Sequence, residues 1–458
     1  MYLRYFGVLL IILLAVPILA AQHASSDPPL LLQQVHITDV ETGEIVRNQT
    51  IVIQNGLIEW VGDAANAPVP EQATIINGPF YVLPGMAEMH AHIPSAQQGE
   101  QAMEDVLFLF LSQGITTVRG MLGQTAHLEL RERAARGDLA SPRIITSGPS
   151  FSGNSVSSPE QARERVQQQA EAGYDLLKLH PGLSREIFDT IVEEADRVGM
   201  EYAGHVSFDV GLPRTLETRQ GTIDHLDRYL EYLAGSDGER PEPSIIYFGY
   251  SFTDEADPQR ISEVAEKTRE AGIWNVPTNS LLDHIFNPDV SVDDLLNRPG
   301  MEYIATGTAQ NWANFVRSIR QQEDYDPQKA RRFLELRDAL VAELHRSGAG
   351  ILLGADAPQV FNPPGFSSHH ELELLVRAGL SPAEALQTAT TNVAQYVGEE
   401  SSTGRIAPGY RADLVLLSAS PLEVIPFHSH IEVVIANGRL FGKEFIEQRL
   451  AEIRERTE

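Results

Sequence analysis

From Gly85 to Val397 the chain alternates short aliphatic or β-branched runs with longer helical patterns, an order that calls for parallel strands joined by crossover helices. Eight runs qualify as strands: Met86 to His92, Thr116 to Arg119, Arg143 to Thr146, Asp175 to Leu179, Glu201 to Val206, Thr222 to Leu226, Trp274 to Pro277 and Gly350 to Asp356. Pro159 to Ala172 and Arg185 to Val198 are helical patterns, each closed by a glycine. Ser381-Pro382-Ala383-Glu384 opens another, with an N-cap serine, proline at the first helical position and a glutamate placed to close a capping box. Eight such units over about 300 residues specify an α/β fold of the (β/α)8 TIM-type barrel class. Between Tyr229 and Gly272 the sixth helix is hard to trace, because Gly and Pro interrupt the pattern.

The flanks read differently. Residues 22–84 and 398–442 hold short β-runs separated by turn signals, with Asn55-Gly56 marking a hairpin and Asn437-Gly438 repeating the style. Neither flank has enough strands to close a sheet alone. Both are therefore expected to meet in one small β-sandwich domain, with the barrel of residues 85–397 inserted between them. In residues 443–458, Phe445, Ile446, Leu450 and Ile453 recur at helical spacing, which predicts a docked terminal helix.

Ahead of these, Arg4 is followed by an apolar stretch from Gly7 that ends in small residues at Ala20 and Ala21. Residues 1–21 read as a secretory signal peptide, with an uncleaved anchor as the alternative. Pro17 interrupts the stretch, and it is shorter than the roughly twenty residues of a spanning helix. Export to the periplasm or beyond is the expectation, with no membrane association past that segment. The sequence has no cysteine, so disulfides, a lipid-bearing cysteine and thiolate metal sites are all excluded. The net charge of −28, from 63 acidic and 35 basic residues, argues against nucleic acid or an anionic lipid surface as partner. Lys178, Lys267, Lys329 and Lys443 are the only lysines, so a lysine inside an apolar run stands out.

In a barrel of this type the C-terminal ends of all the strands converge on one face. Strand one ends in His90 and His92, which share one side of an extended strand and can bring two imidazoles to one cation. Strand four carries Lys178, strand five His205, strand six His225 and strand eight Asp356. A single buried histidine or aspartate is commonly a satisfied core group. Six polar residues at apolar strand tips point together to a metal-dependent active site.

The stretches Pro84-Gly85-Met86-Ala87-Glu88-Met89-His90-Ala91-His92, Thr116-Thr117-Val118-Arg119, Leu177-Lys178-Leu179 and Leu353-Gly354-Ala355-Asp356-Ala357-Pro358, with His205 and His225, resemble the amidohydrolase superfamily. The resemblance lies with hydrolases related to imidazolonepropionase and to the Xaa-Pro dipeptidases. It continues through His369 to Leu374, Ala378 to Leu386 and Gly404 to Val415. It implies two divalent cations sharing a hydroxide that attacks a C–N bond, amide or peptide-like, in a small-molecule substrate. His90, His92 and Asp356 would hold the more buried ion and His205 and His225 the other. Lys178, carboxylated by carbon dioxide, would bridge the two. Asp356 would also shuttle the proton to the leaving group. A His-and-carboxylate set without sulfur suits Zn best, with Mn, Fe and Co also suitable.

Departures from the family bear on substrate. Glu88 stands where an Asp is usual, Gly120 follows Arg119 where relatives often carry Asp, and His180-Pro181-Gly182 and Val206-Ser207-Phe208-Asp209 replace small-residue turns. His180, Arg119, Tyr229, His369 and His370 are candidate substrate contacts, with Gln359 and Asn279 also near strand ends. Cyclic amides, lactones or phosphoesters are alternative substrates for the same metals, and a non-catalytic periplasmic binding protein is the alternative from another class. Assembly as a homo-oligomer stays open.

Overall fold

The computed structural model describes residues 28–235 and 247–457; the segment read as a signal peptide lies outside them. Five strands open the described chain: β1 (Leu30–Asp39), β2 (Glu44–Gln54), β3 (Leu57–Asp63), β4 (Thr74–Asn77) and β5 (Tyr81–Pro84). Seven short strands follow in the middle: β6 (Met86–Ala91), β7 (Ile115–Gly120), β8 (Arg143–Thr146), β9 (Leu176–Leu179), β10 (Glu201–Gly204), β11 (Thr222–Asp224) and β12 (Trp274–Val276). Three more close the series: β13 (Leu414–Leu417), β14 (Ile431–Ala436) and β15 (Arg439–Gly442).

The two ends of the chain meet in one eight-stranded sheet of order β15-β14-β13-β5-β1-β2-β3, with β4 added on β1. The join is the antiparallel pair β5 and β13, with Val82 opposite Leu416. Among the described residues the hydrogen-bonded ladder is continuous rather than split into two separate sheets. Side chains alternate as the pleat requires. Leu32, Ile51, Val82, Leu414, Leu416 and Ile435 pack into an apolar cluster of this sheet, while Leu83, Val415, Leu417 and Val434 join the core shared with the middle of the chain. Asn55 and Gly56, at φ +53° and +77°, and Asn437 and Gly438, at +51° and +75°, make the two hairpin tips with both central residues left-handed. The tips touch: a Cβ on Gly438 would lie 2.7 Å from Gly56 Cα.

The middle strands are parallel, in sheets β6-β7-β8 and β9-β10-β11-β12. Single parallel bridges link them further, from Ser147 to Leu176, from Asn275 to Ile351 and from Ala91 to Ala357. The expected eighth strand is thus an extended segment, not a full ladder. Met89 N donates to Leu353 O and His92 N to Ala357 O, but Ala355 N donates instead to the Glu88 carboxylate. Small residues let it lie close, since a Cβ on Gly354 would meet Val276 at 2.4 Å.

Helices Pro159–Ala172 and Arg185–Val198 form with serine N-caps and glycine C-caps in the left-handed region, and Ser381 and Glu384 make the expected capping box. In the stretch that Gly and Pro interrupt, short helix Tyr229–Leu233 is followed, past residues outside the description, by helix Ile261–Ala271. After β12 the chain inserts four helices before the eighth strand segment: Asn279–Phe286, Val292–Leu296, Thr306–Arg320 and Pro327–Ser347. The tail forms helix Lys443–Thr457, with Ile446 and Ile453 buried. Among the described residues no helix is long and apolar enough to cross a membrane.

Candidate metal centre

Five imidazoles stand in a row across the strand tips. Ring centroids are 5.3 Å apart for His92 and His90, 4.7 Å for His90 and His225, 4.5 Å for His225 and His205, and 5.1 Å for His205 and His180. Asp356 faces three of them: Oδ1 is 2.6 Å from His92 Nε2 and 3.6 Å from His90 Nε2, and Oδ2 is 3.9 Å from His225 Nδ1. Lys178 is fully buried, its Nζ 3.4 Å from both His90 Nε2 and Asp224 Oδ2. His90, His225 and Asp356 each offer a ligand atom within 4.8 Å of the others, the one such group of three among the described residues. The structure therefore gathers His90, His92, Lys178, His205, His225 and Asp356, and places His180 beside them.

The local backbone is held out of its ordinary range here. His225 and Asp356 lie at φ +62° and +63°, and Thr278, which contacts His225, at +50°. For side-chain-bearing residues such angles cost energy and persist where surrounding structure imposes them, often at functional sites. Two of the rings, His205 and His225, are hydrogen-bonded at Nδ1, and the Nδ1 of a third, His90, faces a carboxylate. His90 Nδ1 is 2.9 Å from Asp224, His205 Nδ1 2.9 Å from Asp227 and His225 Nδ1 2.7 Å from Thr278 Oγ1. Pinning Nδ1 leaves Nε2 as the free lone pair, which is how metal-binding histidines are set.

Burial suppresses positive charge on the donors. It pushes His90 down to about 4, helped by the nearby Lys178 ammonium, and drives His225 well below the ordinary histidine value. His180 falls to about 2 for the same reason. Lys178 is also lowered by burial, against the pull of Asp224 and Asp356. Burial would raise Asp356 and Asp224, but the facing imidazoles, joined at Asp224 by Lys178 and Arg119, outweigh it and keep both carboxylates ionised. Imidazoles held from protonation, ionised carboxylates and a buried lysine whose hold on its proton is weakened by burial suit a divalent cation, so these residues fit such an ion.

Four candidate substrate contacts have their polar atoms committed to other partners. Arg119 is buried with its guanidinium spent on Met89 O, Tyr396 Oη and Thr222 Oγ1. Tyr229 is buried, bonded to Thr268 and Asn275. His369 holds Gln113 O, and His370 faces Glu373 and Asp283. Asn279 is likewise committed, to Arg337 and Glu371. In this structure these side chains fasten elements together. Gln359 lines a cavity of about 620 Å³ that also includes His92.

The sequence reading missed Asp224, Asp227 and Thr278. The signal for the two acids was present in Thr222-Ile223-Asp224-His225-Leu226-Asp227, an apolar strand end that both of them interrupt. Glu88, the departure from the family pattern, accepts hydrogen bonds from His90 N, Ala355 N and Ser368 Oγ, tying strand one to the eighth segment.

With parallel strands, crossover helices and this donor set in place, the class is a metal-site α/β hydrolase of TIM-like barrel type. The chain belongs to the amidohydrolase family, whose model matches residues 81–441. An imidazolonepropionase of Rubrobacter xylanophilus is 40% identical over 116 residues, covering 24% of this chain and 27% of that protein. An ochratoxinase of Aspergillus niger is 24% identical over 436 residues, covering 87% of this chain and 84% of that protein. Among solved structures, a bottromycin amidohydrolase superposes with a TM-score of 0.72 at 22% identity, over 94% of this chain and 91% of that one, a likeness of fold.

Proposed function

We propose that this chain is a binuclear metal-dependent hydrolase that cleaves a C–N bond, amide or peptide-like, in a small-molecule substrate met outside the cytoplasm. The observation that carries the reading is the convergence of His90, His225 and Asp356 within 4.8 Å beside a fully buried Lys178. The proposal includes closure of the eight strands into a barrel of residues 85–397, a small domain from 22–84 and 398–442, and export through residues 1–21.

His90, His92 and Asp356 would hold one ion, His205 and His225 the other, with Zn the best match to the donors. When bound, such ions polarise the scissile carbonyl and make water acidic enough to attack at neutral pH. Lys178, if its amine gives up a proton and adds carbon dioxide, with the second proton released to solvent, would become a carbamate, a carboxylate on a long arm that could hold the ions together with the histidines. Asp356 takes the proton from the attacking water and returns it to the leaving nitrogen. Asp224 and Asp227 fix the rings of His90 and His205, and Glu88 fixes the spacing of strand one to the eighth segment. His180, neutral and lying along the His205 ring, is placed to donate a hydrogen bond to the carbonyl oxygen as charge develops there.

The test is turnover by metal-loaded protein of a panel holding N-acyl amino acids, dipeptides, lactones and phosphoesters. The reading expects amide cleavage that a chelator abolishes and added metal restores. Cleavage confined to phosphoesters or lactones would overturn the C–N assignment, and metal-loaded protein inert to every class would overturn the hydrolase reading.

A further inference from the structure

Building on that hydrolase reading, we infer that the C-terminal helix walls a specificity pocket for a bulky, uncharged apolar group of the substrate, aromatic in preference to small. The cavity of about 620 Å³ that includes His92 is bounded by helix Glu100–Ser112, by the insertion after β12 and by the end of helix Lys443–Thr457. Its size falls within the range of small-molecule sites.

The lining is apolar where it is bulky. Val106 and Leu109 share it with Tyr303, Ile304 and Trp312, and Leu122 on the same lining is 43% exposed, a large aliphatic side chain left in water beside the hollow. The two aromatic rings are held in place from behind. Tyr303 packs on Phe366 at 5.6 Å and Trp312 on Phe361 at 6.0 Å, so both rings are preformed for a flat ligand.

The charges on the lining are already matched. Arg456 grips Asp105 with two hydrogen bonds of 2.9 and 2.8 Å, and Arg449 and Gln101 reach the same carboxylate. A charged substituent entering this space would lose water and find no free counter-charge, whereas an apolar one would gain by leaving water. The tail helix is built in at both sides: Arg456 ties it to the helix that bears Val106 and Leu109, and Thr457 Oγ1 donates to Glu302 O, next to Tyr303. Ile453, 1% exposed, supplies its apolar contact. Closure of the pocket thus depends on a segment far from the metal cluster in sequence.

The experiment compares kcat/KM for the N-acetyl, N-benzoyl and N-naphthoyl derivatives of one amino acid on the full-length, metal-loaded enzyme. The expected result is a preference of roughly tenfold or more for the aromatic acyl groups over acetyl. Trp312→Ala collapses that ratio. Arg456→Gln, which releases the charge of Asp105 into the cavity, lowers it as well. A further readout needs no chemistry: the ketone 2-acetylnaphthalene, which cannot be hydrolysed, quenches tryptophan emission in the parent and loses most of that effect in Trp312→Phe. Quenching without any amide turnover would keep the pocket and sink the hydrolase reading. Turnover that treats acetyl and naphthoyl alike, with no quenching that depends on Trp312, would overturn the pocket and keep the hydrolase.

Discussion

Among the described residues two groups of histidines gather within the fold, and only one of them is arranged to take a metal. One is the row at the strand tips. The other, a flank cluster, lies between helices Asn279–Phe286 and Phe366–Arg377, where His284, His369, His370 and His428 surround a cavity of about 140 Å³. By residue type the flank cluster is as rich in ligands as the row: His284 and His370 stack with centroids 5.2 Å apart, and His369 lies 5.8 Å from His428. Three of its rings, however, each spend one nitrogen on fastening, and among the described residues the cluster brings no three ligand atoms within 4.8 Å of one another. His370 is clamped by Glu373 and Asp283, Asp283 is gripped by Arg377, and His284 and His369 contact backbone carbonyls of Val360 and Gln113. At the strand tips the partners sit behind the rings, so the free nitrogens face each other, Asp356 and the buried Lys178. What distinguishes a site from a packed histidine cluster is convergence: only at the strand tips do ligand atoms of His90, His225 and Asp356 gather within 4.8 Å among the described residues.

Four changes test that contrast, from the largest expected effect to the smallest. Asp356→Asn removes a ligand and the proton acceptor together, and kcat on an amide should fall by about 10³-fold or more, while His370→Gln leaves kcat near the parent value. Asp224→Asn loosens the orientation of His90 without removing a ligand. Metal affinity, read by competition with a chelator, should fall about 10- to 100-fold. Asp283→Ala strands His370 and Arg377 in the flank cluster, and the denaturant midpoint should drop by an amount corresponding to about 3 kcal/mol, with metal content unchanged.

The smallest effect is a pH dependence of the flank. Burial opposes the charged form of His370, but Asp283 and Glu373 outweigh it and raise the group above its ordinary value of 6.5. A histidine with a raised folded pKa contributes stability that is fully present below 6.5 and is lost as pH rises through the higher folded value. Thermal midpoints followed upward from mildly acidic to mildly alkaline pH should therefore decline in the parent, and His370→Gln should flatten the decline. An unchanged slope would remove the clamp from the account.

Much of this was legible in the chain because it rests on local rules. The Asn55-Gly56 hairpin, the capped helices and the alternation of strand and helix follow from backbone preferences, and His90, His92, Lys178, His205, His225 and Asp356 could be aligned because parallel strands all end on one face. What was not legible depends on partners distant in sequence. Arg119 and Tyr229 sit near strand ends, as substrate contacts do, but their partners Tyr396 and Thr268 lie on other elements and absorb their polar atoms. Asp224 escaped notice for the converse reason, since its value comes from His90, which lies on another strand. The pocket escaped too, because it is assembled from the first crossover helix, the insertion and the tail.

The most direct test is the metal-to-protein ratio of full-length protein prepared without chelator and with bicarbonate, beside Lys178→Ala prepared the same way. The account predicts two divalent ions per chain in the parent and a clear loss in the variant, restored in part by a short carboxylic acid that takes the place of the missing carbamate. One ion per chain, unchanged by the substitution, would contradict the bridged centre and leave Lys178 as an ion-pair partner of Asp224.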